Sequence, residues 1–188
     1  MFMDLRMRDD CIKNEKIDGI IYDMSPAADF RHGLINSSIH SAIKTGLKGS
    51  ICRVFMENLD LYYSKDSDDY VRPDIMICCD RNKIKGNGYY GVPKFIAETL
   101  SPSTAKRDRG RKMQIYALSG VSEYWIISPK EEAVEVYYLK DGKYELETAY
   151  ILDRDEKSES YNAKTELALR EFPLIKMSLE EIFEEWEE

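Results

Sequence analysis

Only two histidines occur in this chain of 188 residues, and its four cysteines, Cys11, Cys52, Cys78 and Cys79, form no CxxC pair. That spacing excludes a zinc knuckle. No apolar run approaches the ~20 residues that cross a bilayer. The first residues, Met1-Phe2-Met3-Asp4, lack the apolar core of a signal peptide. A cytoplasmic protein without a membrane partner is the expectation. Positive charge is also short: 27 Lys and Arg stand against 35 Asp and Glu, a formal net charge of -8. A general nucleic-acid coating protein needs a broad positive surface, so that class is excluded. A site with a locally positive field is not. The cations that exist are clustered, with KRDRGRK over Lys106 to Lys112, whereas Glu180 to Glu188 is strongly acidic.

Hydrophobic residues make up 43% and charged residues 33% of the chain, the balance of a folded, soluble protein. The length suits one domain over residues 1–188 with an ample core. There is no internal repeat and no interdomain linker. Cys78 and Cys79 lie in an apolar run and read as small buried residues.

Hydrophobic periodicity orders the elements. Residues 1–16 are polar and irregular. Ile17 to Met24 reads as a strand with Asp18-Gly19 at a turn or bulge. A helix from about Asp29 to Leu47 carries a stripe of Leu34, Ile35, Ile39, Ala42, Ile43 and Leu47. Ile51 to Met56 and Leu59 to Tyr63 read as strands. Val71 to Cys79 reads as a strand with Pro73 near its start, where a missing N–H is tolerated. Asp80 to Gly91 is a polar loop, and Val92 to Leu100 is a strand. Ser103 or Thr104 caps a helix that ends at Gly120. Glu123 to Ser128 is a strand. Ala133 to Leu139 and Tyr144 to Ile151 form a hairpin about Asp141-Gly142. Asp153 to Lys164 is a flexible loop, and Ser178 caps a short helix bearing Leu179, Ile182, Phe183 and Trp186. The order implies an α/β domain with a mixed central sheet flanked by helices.

Two carboxylates break this pattern. Asp74 opens the apolar run Ile75 to Cys79, and Glu98 sits inside Phe95 to Leu100. Ionised carboxylates enter such strands when paired or bound to a cation. From neighbouring strands, Asp74 and Glu98 can hold Mg²⁺ or Mn²⁺, with the Thr99 backbone carbonyl as a third donor. A metal-activated water and charge stabilisation are what phosphodiester cleavage requires. The residue two after Glu98 is Leu100, so a lysine must come from elsewhere. Asp108 and Lys112 share a helix face at i, i+4, directly after the Glu98 strand. Lys112 is the candidate to orient the attacking water, and Asp108 its structural partner or orienter; a solvated pair of the two is the alternative.

These residues resemble a known family. Pro73-Asp74, Ile96 to Thr104, Asp108 with Lys112, and Gly120 to Pro129 are similar to the Uma family of restriction endonucleases, within the PD-(D/E)XK nuclease superfamily. Asp18-Gly19, Met24-Ser25-Pro26 and His32 resemble its N-terminal pattern. Ser128 departs from an aspartate often found there, at a position that shapes a turn. The resemblance implies a restriction-endonuclease-like core, a divalent metal, DNA as substrate and a lysine displaced onto the helix.

Supporting roles are assigned around this centre. His32 begins a helix and can bind phosphate, orient a water or simply start the helix. Ser101 forms a turn near the proposed metal. Lys106, Arg107, Arg109 and Arg111 steer phosphates or are merely solvated. Tyr116, Tyr124 and Trp125 are core. Duplex cleavage by one site per chain is simplest in a homodimer. The competing readings are a catalytically silent nucleic-acid or protein binding module on the same fold, and a hydrolase using Asp74 and Glu98 as acid and base without metal.

Overall fold

Ile75–Cys78, Phe95–Thr99 and Glu123–Ser128 are apolar at nearly every position, which is stable only where both faces of a sheet are covered. In the computed structural model, which describes residues 14–23 and 30–184, each of these strands is buried throughout. The chain begins with a hairpin, β1 (Asn14–Ile17) and β2 (Ile20–Asp23), followed by α1 (Phe30–Gly46), β3 (Arg53–Met56), β4 (Asp60–Tyr62), β5 (Tyr70–Val71) and β6 (Ile75–Cys78). A short hairpin, β7 (Ile84–Lys85) and β8 (Gly88–Tyr89), leads to β9 (Phe95–Thr99). The next helix opens as α2 (Ala105–Arg107), widens into a π turn over Asp108–Lys112 and continues as α3 (Met113–Ser119). Then come β10 (Glu123–Ser128), β11 (Ala133–Lys140), β12 (Lys143–Ile151), β13 (Glu166–Ala168), β14 (Lys176–Ser178) and α4 (Leu179–Ile182).

The central sheet has the order β12-β11-β10-β9-β6-β3, with only β9 and β10 parallel. Their crossover is the α2–α3 helix, as a parallel pair requires. A second sheet, β2-β1-β5-β4-β8-β7, is mixed as well, and β13 pairs with β14. One face of the central sheet packs Ile75, Ile77, Phe95 and Trp125 against Ile35, Ile39 and Ile43 of α1. The other packs Met76, Ile96, Tyr124 and Ile126 against Ile115 and Tyr116, and against Ile17, Leu61, Val71 and Tyr89 of the second sheet. Period-two alternation therefore feeds two cores, and the strands look uniformly apolar.

Several expectations are corrected. Residues 14–16 are strand rather than irregular, and the strand read from Ile17 is split into a hairpin at Asp18-Gly19, which is a turn as one of its two readings had it, with φ of 53° and 78°. Val71 to Cys79 is not one strand. Pro73 interrupts it, and the chain passes there from the second sheet to the central one. The 80–91 loop contains a 3₁₀ turn and the β7–β8 hairpin. Thr104 occupies the cap position of α2 but makes no capping bond. The 153–164 loop is tied by hydrogen bonds from Ser160 to Asp153 and from Asn162 to the Ile151 carbonyl. Cys79 is not merely a small apolar residue. β3 and β6 pair with Arg53 opposite Cys78, so Cys52 and Cys79 face each other and form a disulfide. Cys78 is buried and free, and burial pushes its thiol up to about 12. The hairpin at Asp141-Gly142, the Gly120 C-cap at φ 84° and the Ser178 helix cap are as read, and Glu181 completes a capping box with Ser178. Trp186, Asp29 and Met24-Ser25-Pro26 lie outside the described residues.

Glu123 ties the central sheet to the chain beyond it. It is buried at the start of β10, accepting hydrogen bonds from Trp125 Nε1 and the Arg170 N–H, both at 2.8 Å. Burial raises its carboxyl from 4.5 to about 7, against the pull of those donors. A raised carboxyl binds its proton more tightly folded than unfolded. Its contribution is therefore complete below about pH 4.5 and is lost as pH rises through about 7. Relative to Glu123→Gln, the wild type should lose roughly 3 kcal/mol of unfolding free energy over that window, read by urea titration. Parallel pH curves for the two proteins would overturn this.

Candidate active site

Sheet register brings the two carboxylates together. β6 and β9 run antiparallel with Ile75 opposite Ala97, which sets Asp74 beside Glu98. The Asp74 N–H lies 3.4 Å from Glu98 Oε2, and the Thr99 N–H donates to Asp74 Oδ2 at 2.8 Å. Asp74 is 6% exposed and Glu98 2%. Pro73 has no N–H to leave unpaired at the break between sheets, and Asp74 follows as the first residue delivered to the new sheet.

Lys112 comes from the helix. A π turn carries an extra residue, a feature frequent at functional sites, and here it places both Asp108 and Lys112 on the buried side. The Lys112 ammonium, 3% exposed, sits 2.6 Å from Glu98 Oε1, 3.0 Å from Glu15 Oε1 and 3.4 Å from Asp108 Oδ1. The Tyr116 hydroxyl donates to Glu98 Oε1 from one turn further on. Glu15 is held in turn by the Arg72 N–H at 2.9 Å and by Arg107, 3.9 Å away.

A second group approaches from α1. His32 Nε2 is 3.1 Å from Asp74 Oδ2, and the Asn36 amide lies 3.3 Å from Nδ1 and so selects the Nε2–H tautomer of the neutral ring. Asn36 also accepts from Thr99 Oγ1 at 2.6 Å and reaches Glu57 at 3.4 Å. Glu57 adopts a positive φ of 54°, which an L-residue seldom takes, and its N–H donates to the Asp74 carbonyl.

The electrostatics follow from burial. Burial pushes Glu98 well above the carboxylate range, and Asp74, Asp108 and Glu15 add to this while Lys112 opposes it. Asp108 is raised for the same first reason, again against Lys112. Burial would lower Lys112, but the surrounding carboxylates, Glu15 first, hold it well above its usual value. Burial would lower His32 too; Asp74 and Glu57 outweigh it and raise the ring. Glu15, Asp74, Glu98 and Asp108 thus share a buried region with one lysine. A carboxyl driven toward its neutral form by neighbouring anions is one that gains from a further cation. The donors fit a hard cation: all are oxygens, Asp74 Oδ1 accepts no hydrogen bond among the described residues, and Glu98 Oε2 has only its long contact at 3.4 Å. No group of three or more His, Cys, Asp or Glu forms a ready cage among the described residues. Mg²⁺ ordinarily takes one or two carboxylates and keeps its waters.

Asp74, Glu98, Lys112, Asp108 and His32 therefore meet at one place. Other expected site residues do not join them. Ser101 bonds to Ser103 and Thr104 instead. Arg109 clamps Glu135 at 2.6 Å and Arg111 pairs with Asp18. Arg107 stacks over the Tyr22 ring at 4.8 Å and meets the cluster only at Glu15, 3.9 Å away. Of the cationic run, Lys106 is exposed and makes no ion pair among the described residues. Glu15, Asn36, Glu57 and Tyr116 were not anticipated. Asn36 and Tyr116 stand four residues beyond His32 and Lys112, and that spacing carried a signal; Glu15 lies in a stretch read as irregular, where no such signal stood.

Residues 2–170 match the model of a family, Uma2, described as "Putative restriction endonuclease". The chain belongs to the Uma2 family. An uncharacterized protein from Synechocystis sp. is 28% identical over 130 residues, 69% of this chain and 67% of that protein. The crystal structure of "a putative nuclease belonging to DUF820" from Anabaena variabilis superposes with a TM-score of 0.68 at 22% identity, covering 90% of this chain and 89% of that one. The fold is restriction-endonuclease-like, a mixed α/β core with several sheets and few helices. This Uma2 member has no helix among its described residues that is long and apolar enough to cross a membrane.

Proposed function

We propose that this Uma2 protein is a divalent-metal-dependent endonuclease that hydrolyses DNA phosphodiester bonds. The observation that carries the reading is the meeting of buried Asp74 and Glu98 with a buried lysine at the end of a restriction-endonuclease-like sheet. Asp74, Glu98 and the Thr99 carbonyl would hold Mg²⁺ or Mn²⁺. When bound, such a cation lowers the pKa of water and offsets charge on the phosphate. Lys112 keeps a fixed positive charge beside Glu98 and orients the attacking water. His32, held between Asp74 and Asn36 and 16% exposed, lies on the more open side and fixes the orientation of Asp74.

A cytoplasmic location, one domain over residues 1–188 and a twofold homodimer complete the proposal. Light scattering giving twice the chain mass would support the dimer, and the mass of one chain would remove it. The silent-module reading has one observation in its favour: Lys112 already occupies Glu98 at 2.6 Å. Cleavage of plasmid and oligonucleotide DNA with Mg²⁺ or Mn²⁺, halted by chelator, is the expected result. Cleavage that persists in chelator would point to acid–base chemistry instead. DNA binding without metal-dependent cleavage would favour the silent module.

A further inference from the structure

We infer that Glu15 is a positioning residue: with Asp108 it retains the ammonium of Lys112 when Glu98 turns to a divalent cation, so that one buried cation makes way for another. This rests on the metal reading of the site and goes further in assigning how Glu98 is released.

Lys112 has few groups within reach. Its ammonium is enclosed, at 3% exposure, and cannot retreat into water. In the structure its shortest contact is Glu98 Oε1 at 2.6 Å, an oxygen of the carboxylate that the metal needs. A divalent ion and an ammonium sharing one carboxylate repel each other in a low-dielectric region. Binding is therefore favourable only where other anions take over the lysine. Glu15 Oε1 at 3.0 Å and Asp108 Oδ1 at 3.4 Å are already within reach, and both carboxylates are buried. Among the described residues Asp108 Oδ1 has no partner of hydrogen-bond geometry, so it has unused accepting capacity. Glu15 lies on the opposite sheet from Glu98, in β1, and is fixed by the Arg72 N–H just before Pro73-Asp74. The Glu15 anchor and the candidate ligand Asp74 thus come from one short connection between the sheets.

The test is Mg²⁺ titration by calorimetry on the full chain, wild type and Glu15→Gln, each with lysine at 112 and with K112M. Gln keeps the acceptor for the Arg72 N–H while removing the charge. With lysine present, Glu15→Gln is expected to weaken Mg²⁺ binding by about tenfold or more; with K112M the same change should alter it by less than about twofold. Unchanged affinity in Glu15→Gln overturns the inference. So does an equal loss with and without the lysine, since that would be direct attraction between Glu15 and the metal. If K112M does not fold, two other readouts decide. Asp108→Asn should show the same sign with a smaller loss. The ¹⁵N ammonium resonance of Lys112 should shift on adding Mg²⁺ in wild type but not in Glu15→Gln; a shift of equal size in both would count against the inference. Wild-type protein that binds no Mg²⁺ takes down both this inference and the metal reading, whereas binding without coupling to Lys112 takes down this inference alone.

Discussion

Asp74→Asn and Glu98→Gln should each reduce metal-dependent DNA cleavage by roughly 10²–10³-fold or more while the protein stays folded. Both substitutions keep volume and leave oxygen acceptors in place. The amide oxygen at 74 can still accept from the Thr99 N–H, and that at 98 from the Tyr116 hydroxyl. What they remove is charge, and charge is what a hard cation reads. Glu98→Gln also relieves crowding among buried anions. Burial and its neighbours already hold Glu98 well above the usual carboxylate range, so neutralising it costs the fold little. The measurements are cleavage rate at saturating Mg²⁺, metal affinity and thermal midpoint, taken together. Wild-type cleavage by either variant would sink the assignment of these carboxylates. Unfolding of either variant would make the rate uninformative and shift the test to metal affinity at low temperature.

Lys112→Met has the largest expected effect on stability, about 3–5 kcal/mol near pH 8. Removing the one buried ammonium leaves Glu15, Glu98 and Asp108 facing each other without compensation. The sign with pH is fixed by the raised carboxyls. Glu98 and Asp108 bind protons more readily folded than unfolded, so the folded variant takes up protons as pH falls and its deficit shrinks. Urea titrations should show the gap between wild type and variant narrowing from about pH 8 to about pH 5. Adding Glu98→Gln to Lys112→Met should recover part of the loss, because the pair is removed rather than broken. A variant as stable as wild type at both pH values would mean that the cage contributes nothing. Lost cleavage in any Lys112 variant must therefore be read beside its stability.

The contrast between helix cations shows where sequence reasoning reaches its limit. Lys106, Arg107, Arg109, Arg111 and Lys112 lie within seven residues; the i, i+4 spacing from Asp108 singled out Lys112, but nothing in the run told the other four apart. In the fold Lys112 is buried at the site, Arg109 and Arg111 are engaged by Glu135 and Asp18, and Lys106 is exposed. The π turn sets Asp108 and Lys112 on the buried side, and nothing in the local composition announces that turn. Glu15 was hidden for a related reason. It sits in a short strand that pairs with β2 on one side and, on the other, with β5, which is distant in sequence, so its burial depends on pairing that periodicity cannot report.

By itself the sequence determined the elements and the anomalies within them. Apolar runs placed β6, β9 and β10, the 3.6-residue stripe placed α1, and Asp74 and Glu98 stood out because charge in such strands has to be compensated. Those are local properties, set by side-chain periodicity and solvation. Tertiary structure decided which anomalies meet: the antiparallel register that sets Asp74 beside Glu98, the break at Pro73 that transfers the chain between sheets, the Cys52–Cys79 pairing, and the ring of carboxylates around Lys112. Those contacts join residues far apart in the chain, and their energy exists only once two layers have packed and excluded water between them.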